Sequence, residues 1–385
     1  MDPDPGSTLP LPSHAIGRGA PPERRPAATS EVQLAQIRQR LRTAGARTCH
    51  EVAILRAWTH ALPLASGSRA PEDFHPRALR DALPDFARDL GMLASVHSEH
   101  PGADGSARML VALADGKTVE SVLLPPNGVC VSTQVGCAVG CVFCMTGREG
   151  LQRHLGSAEI VAQVVLARSR RTVRKVVFMG MGEPAHNLDS VLDAIELLGT
   201  LGALGHKNLV FSTVGDRRVF ERLPQGAVKP ALALSLHSTF ADRRAELLPR
   251  AARIDPEELV ALGEDYARAT HYPIQYQWTL LDGLNDGDDE VERLLTLLAG
   301  KYAVLNLIPY NAVEGLAYRR PPQQRADAMA RRLCEHGVLT KLRQSAGQDV
   351  DGGCGQLRAR VIAPPASMRI EHAATRHGHA GESPW

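Results

Sequence analysis

Between residues 157 and 337, apolar strand-length runs alternate with amphipathic helix-length segments, and this alternation constrains the fold more than any other feature of the chain. The periodicity predicts strands over 175–179, 208–212, 231–236, 274–280 and 303–308, and helices over 157–170, 188–201, 256–269, 288–298 and 323–337. Strands that are apolar throughout and separated by helices build a parallel α/β sheet. With one more strand at 129–132, about six β/α units are available, which suits an open, partial (β/α)6 barrel better than a closed eight-stranded one. Such a barrel keeps a lateral opening through which part of a macromolecular substrate can pass.

Upstream, apolar runs at 109–114 and 119–124 flank the turn-forming pair Asp115-Gly116, which predicts a short β extension. Before it, Leu34, Ile37 and Leu41, then Val52, Leu55 and Trp58, then Leu79, Leu83 and Phe86 recur at three- and four-residue steps, the pattern of a small helical accessory region. The expected organisation is a disordered tail over 1–30, rich in Pro, Ala, Gly and Arg, the helical accessory region over 31–103, a core over 104–360, and a second tail over 361–385.

A net charge of +2 does not by itself announce a nucleic-acid binder, and the basic clusters at 38–47, 168–175 and 319–332 read as solvated helix faces. An aromatic content of 4% argues against an extended base-stacking platform. No secretory signal and no apolar run of membrane-spanning length is present, so a cytoplasmic protein without a membrane partner is expected. Seven cysteines, an odd number with four crowded together, point to a reducing compartment rather than a disulfide framework.

Those four lie in Cys130-Val-Ser-Thr-Gln-Val-Gly-Cys137-Ala-Val-Gly-Cys141-Val-Phe-Cys144, where Cys137, Cys141 and Cys144 form a C-x-x-x-C-x-x-C run. A cube of four irons normally takes four cysteine ligands, so three thiolates on one loop leave one iron open to another ligand. The competing reading is a structural zinc with Cys130 as the fourth ligand, although zinc sites usually pair two knuckles well separated in sequence. Cys354 stands in a glycine-flanked loop, Asp349-Val-Asp-Gly-Gly-Cys-Gly-Gln-Leu357, which predicts a mobile, exposed thiol, whereas Cys49 and Cys334 fall in or beside helical patterns and read as small core residues.

Four polar motifs each follow or end a predicted strand: Gly180-Met-Gly-Glu-Pro184, Ser212-Thr-Val-Gly215, Ser235-Leu-His237 and Pro309-Tyr-Asn311. The carboxyl ends of parallel strands are where α/β proteins bind ligands, so the four are expected to ring one pocket with the cysteine loop. Each alone also has a plain explanation as a βα turn, a helix cap or a satisfied core histidine. In the functional reading, Gly182 permits close backbone approach and Glu183 accepts hydrogen bonds from an ammonium group. Ser212, Ser235, His237 and Asn311, with the intervening Leu236, then surround the remainder of an amino-acid-bearing ligand.

The cysteine run resembles that of the radical S-adenosylmethionine (SAM) superfamily. From about residue 104 to 357 the chain further resembles the RlmN/Cfr family of radical SAM RNA methyltransferases, through Val119-Glu-Ser-Val, Cys130-Val-Ser-Thr-Gln-Val-Gly-Cys137, Phe178-Met-Gly-Met-Gly-Glu-Pro184, Leu234-Ser-Leu-His237, Leu307-Ile-Pro-Tyr-Asn311 and Cys354-Gly-Gln-Leu357. It departs from that family's pattern at Ala346, where a basic residue is commoner, and at Met145, where a small one is.

The resemblance implies a [4Fe-4S] cluster on Cys137, Cys141 and Cys144, and two SAM molecules per turnover. One methylates the thiolate of Cys354, and the other, at the cluster, yields a 5'-deoxyadenosyl radical that takes hydrogen from the S-methyl group. The carbon radical adds to an adenine ring carbon, carbon 2 or, in the Cfr-like variant, carbon 8. By the same resemblance Cys130 is the resolving thiol that forms a disulfide with Cys354, and Glu120 is the proton acceptor; from the residues alone Glu120 is an ordinary exposed strand carboxylate. The implied partners are ribosomal or transfer RNA and a reducing protein such as flavodoxin or ferredoxin. A radical enzyme acting on a protein or peptide, and a non-catalytic scaffold, are the alternatives.

Overall fold

The computed structural model describes residues 31–67 and 69–359; both predicted tails, 1–30 and 361–385, lie outside them. The chain starts with four helices, α1 (Leu34–Thr43), α2 (Thr48–Thr59), the single-turn α3 (Pro71–Phe74) and α4 (Arg77–Met92). Then come β1 (Ala94–Pro101), β2 (Ala107–Leu113), β3 (Thr118–Leu124), β4 (Gly128–Cys130) and a small hairpin, β5 (Gln134–Gly136) with β6 (Leu151–His154). The remainder alternates: α5 (Ser157–Arg168), β7 (Lys175–Phe178), α6 (Leu188–Thr200), β8 (Leu209–Thr213), α7 (Arg217–Arg222), β9 (Ala231–Ser235), α8 (Ala241–Leu247), α9 (Pro256–Thr270), β10 (Ile274–Leu280), α10 (Asp288–Leu298), β11 (Ala303–Pro309), α11 (Gln323–Glu335) and β12 (Thr340–Leu342).

Ten strands form one sheet in the order β1-β2-β3-β4-β7-β8-β9-β10-β11-β12. The first four are antiparallel neighbours, and from β4 onward every pairing is parallel. Six β/α units therefore follow one another as predicted, and β12 is a short closing strand that the sequence pattern did not predict. It pairs with β11 and not with β4, so the parallel array is open between its two ends. Strand β1 was also missed. Its exposure alternates with the polar run Ser95-Val-His-Ser-Glu-His100, because an edge strand needs an apolar face on one side only.

The parallel strands are apolar because both faces are covered. Phe178, Phe211, Tyr276 and Trp278 are fully buried among the aliphatic residues, and each buried polar tip is satisfied: Trp278 Nε1 donates to the Asn285 carbonyl (3.1 Å) and Tyr276 Oη to that of Val260 (3.3 Å). Helix α5 is buried nearly all round, since α2 and β1 pack on it in addition to the barrel.

The same packing corrects two readings. Cys49 and Cys334 are exposed, not core. Helix α11 buries Ala326, Met329 and Leu333, and one residue beyond a buried position is turned about 100° away from the core. Glu120 is the opposite case. It is fully buried on β3 and ion-paired with the equally buried Arg108 of β2, because the β extension is itself covered.

The accessory helices are fastened at the amino end of α5. Ser157 donates its amide (3.0 Å) and hydroxyl (3.0 Å) to Gln33 Oε1, Ala158 N donates to the Val32 carbonyl (3.1 Å), and Ser157 Oγ accepts from Leu34 N (2.8 Å). A distant segment thus satisfies amides that a helix start leaves unpaired. The fit has no slack at Gly156, where an added Cβ would stand 2.2 Å from the Val32 carbonyl oxygen. Gly156→Ala should therefore loosen this attachment and speed tryptic cleavage at Arg38, Arg40 and Arg42 relative to the parent protein, measured by mass spectrometry of early fragments.

Candidate active site

The cysteine loop is the connection between β5 and β6. Its base is closed by Cys137 N donating to the Gly150 carbonyl (3.1 Å), and within it Cys144 N donates to the Cys141 carbonyl (3.0 Å). The far side is held by α8 and its sequel, with Val142 N on the Leu247 carbonyl (3.1 Å) and Arg250 N on that of Val139 (3.2 Å). Burial pushes the Cys137 thiol up to about 12 and the Cys141 thiol well above its ordinary value, and each is pushed further by the charge of its neighbours in the run. Thiols in such a place ionise only when a cation or metal compensates them.

Cys354 lies against this loop. Met145 N donates to the Gly355 carbonyl (2.8 Å), Thr146 Oγ1 to that of Leu357 (2.7 Å), and Asn311 Nδ2 to that of Cys354 (2.9 Å). The flanking glycines serve close packing rather than mobility. Gly355 has φ +85°, with an added Cβ 3.1 Å from the Phe143 carbonyl oxygen, and at Gly353 a Cβ would meet Asn311 Nδ2 at 2.9 Å. The thiol itself is exposed, as expected. Cys130, at the end of β4, is buried; desolvation pushes its thiol up to about 12, and the Cys354 charge adds to the shift. The charge of Cys354 also raises Cys144. Cys354 thus stands near both the predicted resolving thiol and the cluster loop, and Cys130, Cys144 and Cys354 line one cavity of about 720 Å³.

That cavity is not ringed by the four rim motifs, of which Gly180 alone lines it. Glu183 accepts from Ala185 N (3.0 Å) and Val214 N (3.0 Å), and its burial raises it to about 7; its charge in turn raises Cys137 and Cys141. Gly182 has φ +102° and a Cβ there would sit 2.6 Å from Gln134 Cβ, so only glycine fits. His237 is buried edge-on to Phe143 of the loop (centroids 4.9 Å). Burial, with the Arg244 charge second, lowers it to about 3, and its Nδ1 accepts from Thr279 N (3.0 Å), so the neutral ring carries its proton on Nε2. Asn311 Nδ2 also reaches Ser345 Oγ (2.9 Å). Ser212 and Ser235 are half-buried and Leu236 is fully buried.

Arg244 was not foreseen. In the sequence it reads as half of a solvated Arg-Arg pair, and its only signal is helical spacing that sets it on the buried face with Leu247. It donates to the carbonyls of Val214 and Ser235, and its buried Nε has no partner. Burial lowers it to about 10, opposed by the charges of Cys141 and Glu183.

The comparisons with known proteins agree with this geometry. The radical SAM superfamily profile matches residues 131–298. A probable RNA methyltransferase of Leptothrix cholodnii is 70% identical over 335 residues, 87% of this chain and 96% of the relative, and one of Pseudomonas aeruginosa is 62% identical over 87% and 97% of the two chains. The crystal structure of a radical SAM methyltransferase from Sphaerobacter thermophilus superposes with a TM-score of 0.75 at 33% identity, covering 87% of this chain and all of that one (100%). The chain belongs to this family of radical SAM methyltransferases. Its cofactors are accordingly a [4Fe-4S] cluster and SAM. The residues present fit both: three thiols on one loop for three irons, and beside them a buried guanidinium with an unsatisfied nitrogen, suited to the negative charge that a cluster or a carboxylate brings. Among the described residues no helix is long and apolar enough to cross a membrane.

Two outcomes follow. At mildly alkaline pH, iodoacetamide should alkylate Cys354 well before Cys130, read by peptide mass spectrometry, because one thiol is exposed and the other is buried and held protonated. Gly136→Ala should lower the iron and sulfide retained after anaerobic reconstitution, because Gly136 has φ +75° and its added Cβ would stand 2.0 Å from the Gly150 carbonyl oxygen at the base of the loop.

Proposed function

We propose that this radical SAM enzyme methylates RNA at an adenine ring carbon, carbon 2, in ribosomal or transfer RNA, as a member of the RlmN/Cfr family. Cys354 is the methyl carrier, Cys130 the resolving thiol and Glu120 the proton acceptor. The relatives named as probable RNA methyltransferases support the substrate class. The observation that carries the rest is the pairing of an exposed thiol with a buried one in a single cavity beside the cluster loop.

When bound, the cluster and SAM supply a methyl group and the means of removing a hydrogen from it. Cys137, Cys141 and Cys144 hold the cluster, while Gly182, Glu183, Ser212, Ser235, Leu236, His237 and Asn311 bind SAM, with the Glu183 carboxylate toward its ammonium group. Asn311 has a second task, since it grips the carbonyl of Cys354 and so fixes the carrier relative to the cofactor site.

Release of product needs the bond between Cys354 Sγ and the transferred carbon to break. The adduct radical gives up one electron, for which the cluster would be the acceptor, and its ring proton passes to a base. The Cys130 thiol then loses its proton and its sulfur attacks Cys354 Sγ, the S–S bond forming as the Sγ–carbon bond breaks, and the departing carbon takes up a proton to become the new methyl group. The resting Cys130 thiol is held neutral by burial, which protects the pair from premature oxidation.

Glu120 does not line the cavity. It sits beneath the carrier segment, accepting from Arg358 N (2.8 Å) and paired with Arg108. Burial raises its carboxyl despite Arg108, making it a stronger base than a solvated carboxylate. A small reducing protein such as flavodoxin or ferredoxin would supply electrons.

The test is nucleoside mass spectrometry of ribosomal and transfer RNA incubated with reconstituted protein, reductant and methyl-labelled SAM. Labelled 2-methyladenosine is expected, with none formed by Cys354→Ala, and Cys130→Ala should accumulate a protein–RNA adduct stable to denaturing electrophoresis. Labelled 8-methyladenosine would move the reaction to the other ring carbon, and no labelled adenosine in either RNA, despite cofactor cleavage, would overturn the proposal.

A further inference from the structure

The cavity that holds Cys354 and Cys130 extends to the opposite ends of the strands. Its wall includes Asn127 and Gly128 before and at the start of β4, Lys175 at the start of β7, Asn208 just before β8, and Gln275 in β10. At that end it is basic. Arg174, Lys175 and Arg343 line it, and Lys341 belongs to β12. All four are exposed. Arg174, Lys175 and Arg343 share the cavity wall; burial lowers Lys175 from its ordinary value, and the charges of Arg343 and Lys341, which lie close by, lower it further. One pair is just before and at the start of β7, beside the first parallel strand, and the other on and after β12, the last, so together they flank the opening left by the unclosed sheet.

The cluster differs from the basic surface around it. Arg170 pairs with Glu99, Arg153 with Asp115 and Glu159, and Arg325 with Asp288. Among the described residues Arg174, Lys175, Lys341 and Arg343 have no such partner. Asp104, the carboxylate lining the same cavity, is engaged instead by Ser106 and the Gly347 amide (2.9 Å). Four like charges held together without neutralisation cost stability unless a polyanion uses them. Gln275 and Gln277 line the same cavity as the thiols, and their amides are of the kind that suits the hydrogen-bonding edge of an unstacked base.

We infer that Arg174, Lys175, Lys341 and Arg343 form a phosphate-binding lip at the lateral opening, through which a single-stranded RNA segment leads its base toward Cys354. This rests on the RNA reading above. The sequence had assigned Arg174 and Lys175 to a solvated helix face; they are the exit of that helix's loop into β7, at the mouth of the barrel.

The experiment is anisotropy titration of a labelled RNA hairpin with an adenosine-rich loop against the holoenzyme over a range of salt concentrations. Lys175→Gln combined with Arg343→Gln should weaken binding at low salt at least roughly tenfold and flatten the slope of log K against log salt by about 1.5, the loss of two phosphate contacts. The melting temperature should not fall, since two mutually repelling charges are removed, and Arg331→Gln on α11, at an exposed arginine without an ion pair among the described residues, should bind like the parent. A double variant with the parent's affinity and slope overturns the lip alone, whereas a parent enzyme that does not bind the hairpin at all overturns the RNA reading with it. Equal, variant-sensitive binding of polyglutamate would reassign the lip to an acidic polypeptide and overturn it.

Discussion

The docking of the Cys354 segment on the cysteine loop is the contact on which the rest of the site depends. Met145 to Gly355, Thr146 to Leu357 and Asn311 to Cys354 are backbone or backbone-directed hydrogen bonds, so they fix position without depending on which side chains the segment carries. They also join the loop after the first parallel strand to the chain beyond the last. An open array of strands has no ladder between its two ends, and these bonds, with Arg358 N on Glu120 (2.8 Å) and Gly347 N on Asp104 (2.9 Å), hold the ends in register and keep the two thiols together. Individually each of the three docking bonds contributes about 1 kcal/mol; together they act on chain segments more than 40 residues apart at the nearest and 211 at the farthest, where closing the loop has already been achieved by the barrel. The glycines on either side of Cys354 make such approach possible and leave the thiol as the segment's outward feature.

Burial then sorts the titratable groups by task. The same low-polarity surroundings that keep Cys130 protonated push His237 neutral, raise Glu183 and weaken Arg244. A buried charge without compensation costs several kcal/mol, and the site answers in different ways. Glu183 takes two backbone amides, His237 gives up its charge, and Arg244 stays cationic on two carbonyls with one nitrogen unsatisfied. Only the last leaves electrostatic demand for something not supplied by the protein. In the Arg108–Glu120 pair the demand is met internally, although Arg108 Nε and Nη2 remain unpartnered, and this keeps the Glu120 carboxylate fixed beneath the Cys354 segment, on the Arg358 amide, rather than free in the cavity.

The sequence made the parallel array legible because each of its strands is covered on both faces, so strand and helix periods are both strong from Ser157 to Leu333. It failed where burial is not periodic. β1 is a polar edge, β12 has three residues, and Glu120 looks like an exposed carboxylate because its partner Arg108 is twelve residues away across a hairpin. The crowding of Cys137, Cys141 and Cys144 on one loop and the exposure of Cys354 were legible from spacing and composition, whereas Arg244 was hidden beside Arg243. Cys49 and Cys334 show the converse limit: a helical pattern gives a period, but its phase must come from the larger apolar residues, and one step out of phase is enough to reach solvent.

Phase also explains how one barrel can separate chemistry from access. The rim motifs follow the carboxyl ends of their strands, where loops are free to vary, and their polar groups gather around the cysteine loop. The strand starts carry a different set, Lys175 and Asn208 with Gln275 one residue in, and these line the cavity instead. A reactive hydrogen-abstracting species is best generated where water and bulk substrate are excluded, while a polyanion is best met where cations stand unpaired and exposed. With the sheet unclosed between β12 and β4, both settings occur in one molecule: the rim motifs gather at the buried cysteine loop, the unpaired cations stand at the opening, and Cys354, exposed, lines the cavity between them.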